Sequence, residues 1–161
     1  TYVLEPSVLQ RIEPGRKVSI ERETFPAIVA DGGLWAVQSE AYWVDAGTPE
    51  TYIQVQLDLL DGVRGAAVDG VAADASVDPS AVIERSVVMS GATVAANAII
   101  RGSIVSMDAV IGERTLIEGS ILGPRAVVGA GAKLTEMTML GDSARVDDDA
   151  SLVGAKIPEN E

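Results

Sequence analysis

Ile111-Gly112-Glu113-Arg114-Thr115-Leu116 and, 17 residues further on, Val128-Gly129-Ala130-Gly131-Ala132-Lys133 both open on an aliphatic residue followed by glycine. The same step of 17 joins Val77, Val94, Ile111 and Val128 in one row, Ile83, Ile100, Ile117 and Leu134 in a second, and Val88, Val105 and Leu122 in a third. All three rows then lengthen together by one residue, to Val146, Leu152 and Leu140. Within a repeat the aliphatic positions lie 6, 5 and 6 residues apart, and 6, 6 and 6 in the last. Each repeat therefore has three short sides, and each side contributes one inward aliphatic residue. Ala75, Ala92, Ala109 and Ala126 sit two positions before the first row, as the crowded corners of a narrow prism require. A stack of ordinary hairpins would show period-two alternation and Asn-Gly-type turns, and the sequence has neither. The pattern predicts a β-solenoid of about five coils over roughly residues 71–157, about 24 Å long at ~4.8 Å per coil. Each coil would be buried by its neighbours.

The composition agrees. Of the 161 residues, 47% are hydrophobic but only 4% aromatic, so a core has to be built from Val, Ile, Leu and Ala. With 16 glycines, that suits short strands and tight turns. The net charge of -12 disfavours nucleic acid and anionic membranes as partners. Neither cysteine nor histidine occurs, which excludes thiolate metal sites, His-ligated zinc and every imidazole-dependent mechanism. No apolar run is long enough to span a bilayer and no signal peptide is visible, so the cytoplasm is the expected compartment. The chain begins at Thr1 rather than Met, within what reads as a strand, and is expected to be a truncated or processed form.

Residues 1–62 carry a different, mixed pattern. Strands are predicted at Tyr2–Leu4, Leu34–Val37 and Tyr42–Val44, and one or two helical turns over Pro6–Ile12. Ser19 reads as the cap of a helix over Ile20–Ala30, with Glu21 and Glu23 complementing its dipole and Pro26 kinking or shortening it. Thr48-Pro49-Glu50 is a strong helix start, and that helix should run to about Leu60 and stop at Asp61-Gly62. The change of period divides the chain into 1–62 and 63–161.

Two resemblances emerge from these residues. The repeats at Ile111 and Val128 resemble hexapeptide-repeat proteins, which implies a left-handed parallel β-helix. General crossover physics alone would favour the right-handed form. Residues 1–60 resemble the C-terminal part of the catalytic α/β domain of bacterial sugar-1-phosphate nucleotidyltransferases, most closely mannose-1-phosphate guanylyltransferases. Three segments carry that likeness: Thr1-Tyr2-Val3-Leu4-Glu5-Pro6, Ser19-Ile20-Glu21-Arg22-Glu23-Thr24-Phe25-Pro26 and, most specific, Tyr42-Trp43-Val44-Asp45-Ala46-Gly47-Thr48-Pro49 followed by Tyr52. A β-helical tail after them is the family's usual order. The family's Gly-rich phosphate loop with its Arg and Lys, its first metal-binding Asp and its sugar-phosphate Lys have no counterpart here. Gly129-Ala130-Gly131 is a corner of the repeat. The resemblance thus implies part of an enzyme that joins GTP to mannose 1-phosphate and releases pyrophosphate, without its nucleotide-binding half and inactive alone. Its substrates would be a nucleoside triphosphate and a sugar phosphate, its cofactor Mg²⁺, and its assembly a homo-oligomer formed through the β-helix. A glucose-1-phosphate enzyme and a non-catalytic assembly or regulatory module stay open. Hexapeptide acyl transfer and zinc-dependent carbonic anhydrase chemistry do not, for want of histidine.

Residue by residue, the resemblance makes Asp45 one of two carboxylates holding Mg²⁺, where crowded phosphate charge needs hard oxygen ligands. The alternative is a turn aspartate bonding its own backbone near Gly47. Glu21 matches the family's sugar-side carboxylate, or else pairs with a helix dipole. Trp43 lines the sugar pocket, or else is a core residue. Arg22, Arg101 and Lys133 read as solvated side chains, and Asp147-Asp148-Asp149 as an exposed turn rather than a cation site.

Overall fold

A computed structural model describes residues 1–158. The chain divides into two compact units, the first Thr1–Ala41 and the second beginning at Tyr42. The second unit holds the solenoid, a left-handed parallel β-helix of five coils, as the repeat implied. Its first face stacks Ser76–Val77, Thr93–Val94, Val110–Ile111, Val127–Val128 and Arg145–Val146. The second stacks Val82–Glu84, Ile99–Arg101, Leu116–Glu118, Lys133–Thr135 and Ser151–Val153. Val87–Val88, Ile104–Val105, Ile121–Leu122, Met139–Leu140 and Lys156–Ile157 form the third. Every pairing is parallel, and the register sets Val77 on Val94, Val94 on Ile111, Ile111 on Val128 and Val128 on Val146, so the first predicted row is one ladder. The other two rows stack in the same way. Ile100, Ile117, Leu134, Val105 and Leu122 are fully buried, with Ala92, Ala109, Ala126 and Ala144 at the tight corners.

The residue inserted in the last repeat falls between Leu134 and Leu140. At that corner the other coils place one residue in the left-handed region (Arg85, Gly102, Gly119, Gly154), whereas here Glu136 and Met137 both take it. The extra residue is absorbed in the corner, and the ladders stay in register. The same corner carries a buried column of hydroxyls. Ser103 Oγ donates to the Arg101 carbonyl at 2.7 Å and accepts from Ser120 N at 3.1 Å, while Ser86 Oγ accepts from Ser103 N at 3.1 Å. Thr138 continues the column, donating to the Thr135 carbonyl at 2.8 Å. Each hydroxyl thereby satisfies corner backbone groups that the ladders leave unpaired.

Helix α1 (Phe25–Ala30) follows directly on a π-helical turn, Ile20–Thr24. Together they fill the predicted Ile20–Ala30 span. Pro26 has no N–H to donate, and the wider turn ahead of it, in which Phe25 N bonds the Ile20 carbonyl, is how the chain accommodates that loss. Helix α2 is Pro49–Leu60, as predicted, with a reciprocal capping box between Thr48 and Thr51. Pro6–Arg11 is a 3₁₀ helix.

The three strands predicted in the first 62 residues do not form. Tyr2–Leu4, Leu34–Val37 and Tyr42–Val44 pair with no described strand. Val3, Trp35 and Val37 are 96%, 88% and 95% exposed. A strand is stable only when a neighbour takes its backbone groups and one face is covered, and neither condition holds for these segments.

Candidate functional site

In the first unit, Glu21 lies exposed in the π turn, and its Oε1 accepts a short hydrogen bond from the Tyr2 hydroxyl. That bond is the main reason the Tyr2 phenol titrates above its ordinary value. The Tyr2 ring stands edge-on to Phe25, with centroids 4.9 Å apart. Glu21 and Glu23 both lie in the first turn, and Glu23 also bonds the start of the helix. Its Oε1 accepts from Ser19 N at 3.2 Å while Ser19 Oγ accepts from Arg22 N at 3.3 Å. Arg16 binds the other Glu23 oxygen at 2.8 Å and, with the Ser19 N–H, holds that carboxyl below its usual range. Glu21 is left with an oxygen-rich, solvent-facing carboxylate steadied by Tyr2. Arg22 is exposed, as read from the sequence.

In the second unit, Trp43 and Asp45 lie on the stretch leading into α2. Trp43 is 75% exposed among the described residues. Asp45 is exposed too, and its carboxylate makes no hydrogen bond or ion pair with any described residue. The turn alternative required a bond to nearby backbone, and that bond is not made. The carboxylate does lie over Gly47: Oδ1 is 3.3 Å from the position a Cβ there would take, so a larger residue would push against it. Among the described residues no group of three or more acidic side chains could hold a metal ion. Asp45 therefore offers one ligand with both oxygens free and does not make a metal centre alone.

The stretch is fastened at both ends to α2. Thr48 caps the helix, with Thr51 N bonding Thr48 Oγ1 at 3.2 Å and Thr48 N bonding Thr51 Oγ1 at 3.1 Å. At the other end the Tyr42 hydroxyl donates to Asp58 Oδ2, and the Arg64 guanidinium lies 5.7 Å from the Tyr42 ring centre. The bond to Asp58 is the chief cause of the raised Tyr42 pKa. The Thr48 cap was anticipated from sequence; the tie from Tyr42 to Asp58 was not.

The side chains singled out in the solenoid are structural. Arg101 is paired across coils, to Glu84 at 2.7 Å and to Glu118 at 3.4 Å. Asp148 Oδ1 accepts from Ala130 N at 2.8 Å and Asp149 takes a left-handed corner, so the acidic run is a turn. Lys133 is exposed on the second face.

Residues 66–161 match the family described as "GMPPB C-terminal domain". The chain belongs to this family. The mannose-1-phosphate guanylyltransferase of Mycobacterium tuberculosis is 41% identical over 101 residues, covering 56% of this chain and 28% of that protein. Mannose-1-phosphate guanyltransferase of Schizosaccharomyces pombe is 39% identical over 92 residues, covering 53% and 25%. This member of the family thus spans about a quarter of the length of the curated relatives it matches. Among solved structures, a perosamine N-acetyltransferase from Caulobacter crescentus superposes with a TM-score of 0.55 at 21% identity, over 69% of this chain and 60% of that one. That likeness concerns the β-helix fold. The resemblance to mannose-1-phosphate guanylyltransferases with a hexapeptide-repeat tail holds.

Proposed function

We propose that this chain is part of a sugar-1-phosphate nucleotidyltransferase that forms GDP-mannose from GTP and mannose 1-phosphate, releasing pyrophosphate. The observation that carries this reading is the Tyr42–Pro49 segment. In a chain of the GMPPB C-terminal domain family, it presents an exposed, unpartnered Asp45 carboxylate just ahead of a capped helix. In the intact enzyme Asp45 would supply one oxygen ligand to Mg²⁺, with the remaining ligands coming from outside these residues; bound there, the ion would neutralise crowded phosphate charge. Glu21 would accept hydrogen bonds from sugar hydroxyls, its geometry held by Tyr2. Trp43 would wall the sugar site. A cytoplasmic homo-oligomer belongs to the same reading, supported by the outward, exposed Val110 and Val153 on the solenoid. A non-catalytic assembly module is the second reading, favoured by the solenoid burying its core without outside help.

The test is pyrophosphate release by the full-length protein carrying this chain, with GTP and either mannose 1-phosphate or glucose 1-phosphate. Asp45→Asn keeps size and shape but removes one negative charge. If that charge is worth ~3–4 kcal/mol in the transition state, turnover falls ~10²–10³-fold, with recovery at high Mg²⁺ where affinity is the main loss. Thermal melts should match the wild type, because Asp45 has no partner to lose. The isolated 161-residue chain should release none. Equal rates for the two full-length proteins would return Asp45 to an ordinary surface carboxylate and favour the module.

A further inference from the structure

We infer that the solenoid is the mount for the Asp45 segment, and that Ile104, Asp58 and Tyr42 are positioning residues that transmit its rigidity. This rests on the reading of Asp45 given above. The case begins with the third face of the solenoid. Along each of its strands one residue points in, to the ladder of Val88, Val105, Leu122, Leu140 and Ile157, and its neighbour points out. The outward residues are Val87, Ile104, Ile121, Met139 and, on the last coil, Lys156, so four of the five are apolar where a free solenoid face would be polar. Ile104 is 0% exposed although it stands outside the inward cluster. Something covers it.

Helix α2 is tied to the first coil of that face, and its N-terminal end lies within electrostatic range of the last. At the first coil, Asp61 pairs with Arg85 at 2.6 Å. Leu60 Cδ2 comes within 3.2 Å of where a Cβ on Gly70 would stand, and the Gly70 carbonyl accepts from Val88 N at 2.7 Å. At the last coil, Lys156 is close enough to contribute to the lowered pKa of Glu50, after the Glu50 backbone N–H and the Thr48 side chain. Twelve helical residues span about 18 Å. Four coil steps span about 19 Å. A helix of this length anchored at the first coil matches the height of the face, and we assign its buried Ile53 as the side chain that covers Ile104.

The Asp45 segment is strapped to this docked helix. Asp58 holds the Tyr42 hydroxyl with one oxygen and Gln54 Nε2, at 2.5 Å, with the other. Thr48 fixes the far end through the capping box. Between the two ties run five residues, Trp43 to Gly47, with Asp45 at their centre. A carboxylate without partners of its own takes its position from the strap, the strap from the helix, and the helix from the outward row.

The test pairs kinetics with a structural reporter. In a Trp35→Phe background Trp43 is the sole tryptophan, and acrylamide quenching of its fluorescence reads the strap directly. Tyr42→Phe removes only the hydroxyl. It should raise Trp43 quenching in this chain and lower kcat about tenfold in the full-length protein, with the melting temperature unchanged. Ile104→Ala should raise Trp43 quenching as well, from the opposite side of the helix. Asp45→Asn is run alongside. Loss of turnover in Asp45→Asn with wild-type kcat and quenching in Tyr42→Phe overturns the mount and leaves the ligand reading standing. Full activity in Asp45→Asn removes the ligand reading and, with it, the positioning roles.

Discussion

Residues 1–41 and the solenoid are made of similar aliphatic residues and end in opposite states. In the first unit Thr24 and Ile28 are buried, and the Thr24 hydroxyl has no partner. Its ion pairs are Arg11–Asp31, Arg16–Glu13 and Arg16–Glu23, all exposed, screened by water and individually weak. In the solenoid every inward strand residue meets another aliphatic residue one coil away, so backbone and side chain are satisfied together. A strand sequence is only half of a strand. The repeat carries the other half within itself, whereas Val3, Trp35 and Val37 have none beside them.

The comparison is broken most directly in the core. Ile117→Ala should cost about 2–4 kcal/mol, because the ladder above and below cannot collapse sideways into the cavity. Val37→Ala, in the first unit, should stay within about 0.5 kcal/mol. Urea midpoints for the two variants measure both. An unchanged midpoint for Ile117→Ala would mean that the inward ladder does not stabilise the fold.

Acid should separate the units more gently. The Glu23 carboxyl is held below its ordinary 4.5 by Arg16 and the Ser19 N–H. A lowered carboxyl contributes stability fully above its unfolded pKa and loses it as pH falls through the folded one. Acidification from neutral to about pH 3 should therefore loosen residues 1–41 while the aliphatic ladders persist, seen as a shift in Trp35 emission without loss of the β-sheet circular dichroism signal. A single transition in both signals would contradict the contrast.

What the sequence made legible follows the same division. The rows at Val77, Ile83 and Val88 were readable because inward positions tolerate only aliphatic residues and recur at a fixed step. Ser86, Ser103 and Ser120 recur at the same 17-residue step, as do Val87, Ile104 and Ile121. They were passed over because a serine at a corner and an aliphatic on an outer face have innocent local explanations. Only the fold shows that the first is a buried hydroxyl column and that Ile104, in the second, is fully buried outside the inward ladders. The strands at Tyr2, Leu34 and Tyr42 were overread because propensity is silent about partners. In the candidate site, the capped start of α2 was legible from Thr48-Pro49-Glu50. The freedom of Asp45 and the tie from Tyr42 to Asp58 were not, since both depend on which groups the tertiary fold brings near. The change of period falls after residue 62, whereas the compact units divide after Ala41. The stretch between them, α2 and its strap, is helical in sequence and solenoidal in attachment.

That attachment is the claim to test, by hydrogen–deuterium exchange across the chain at neutral pH and again at about pH 3. A free helix of α2's length is marginal in water, so its amides report docking rather than propensity. At neutral pH the amides of Thr51–Leu60 should exchange as slowly as those of the outer coils and more slowly than those of residues 1–41; at about pH 3 part of that protection should go too, because Glu50, held below its ordinary range like Glu23, is protonated there as well. Exchange of α2 in step with residues 1–41 would contradict the account, and leave the solenoid without a hold on Asp45.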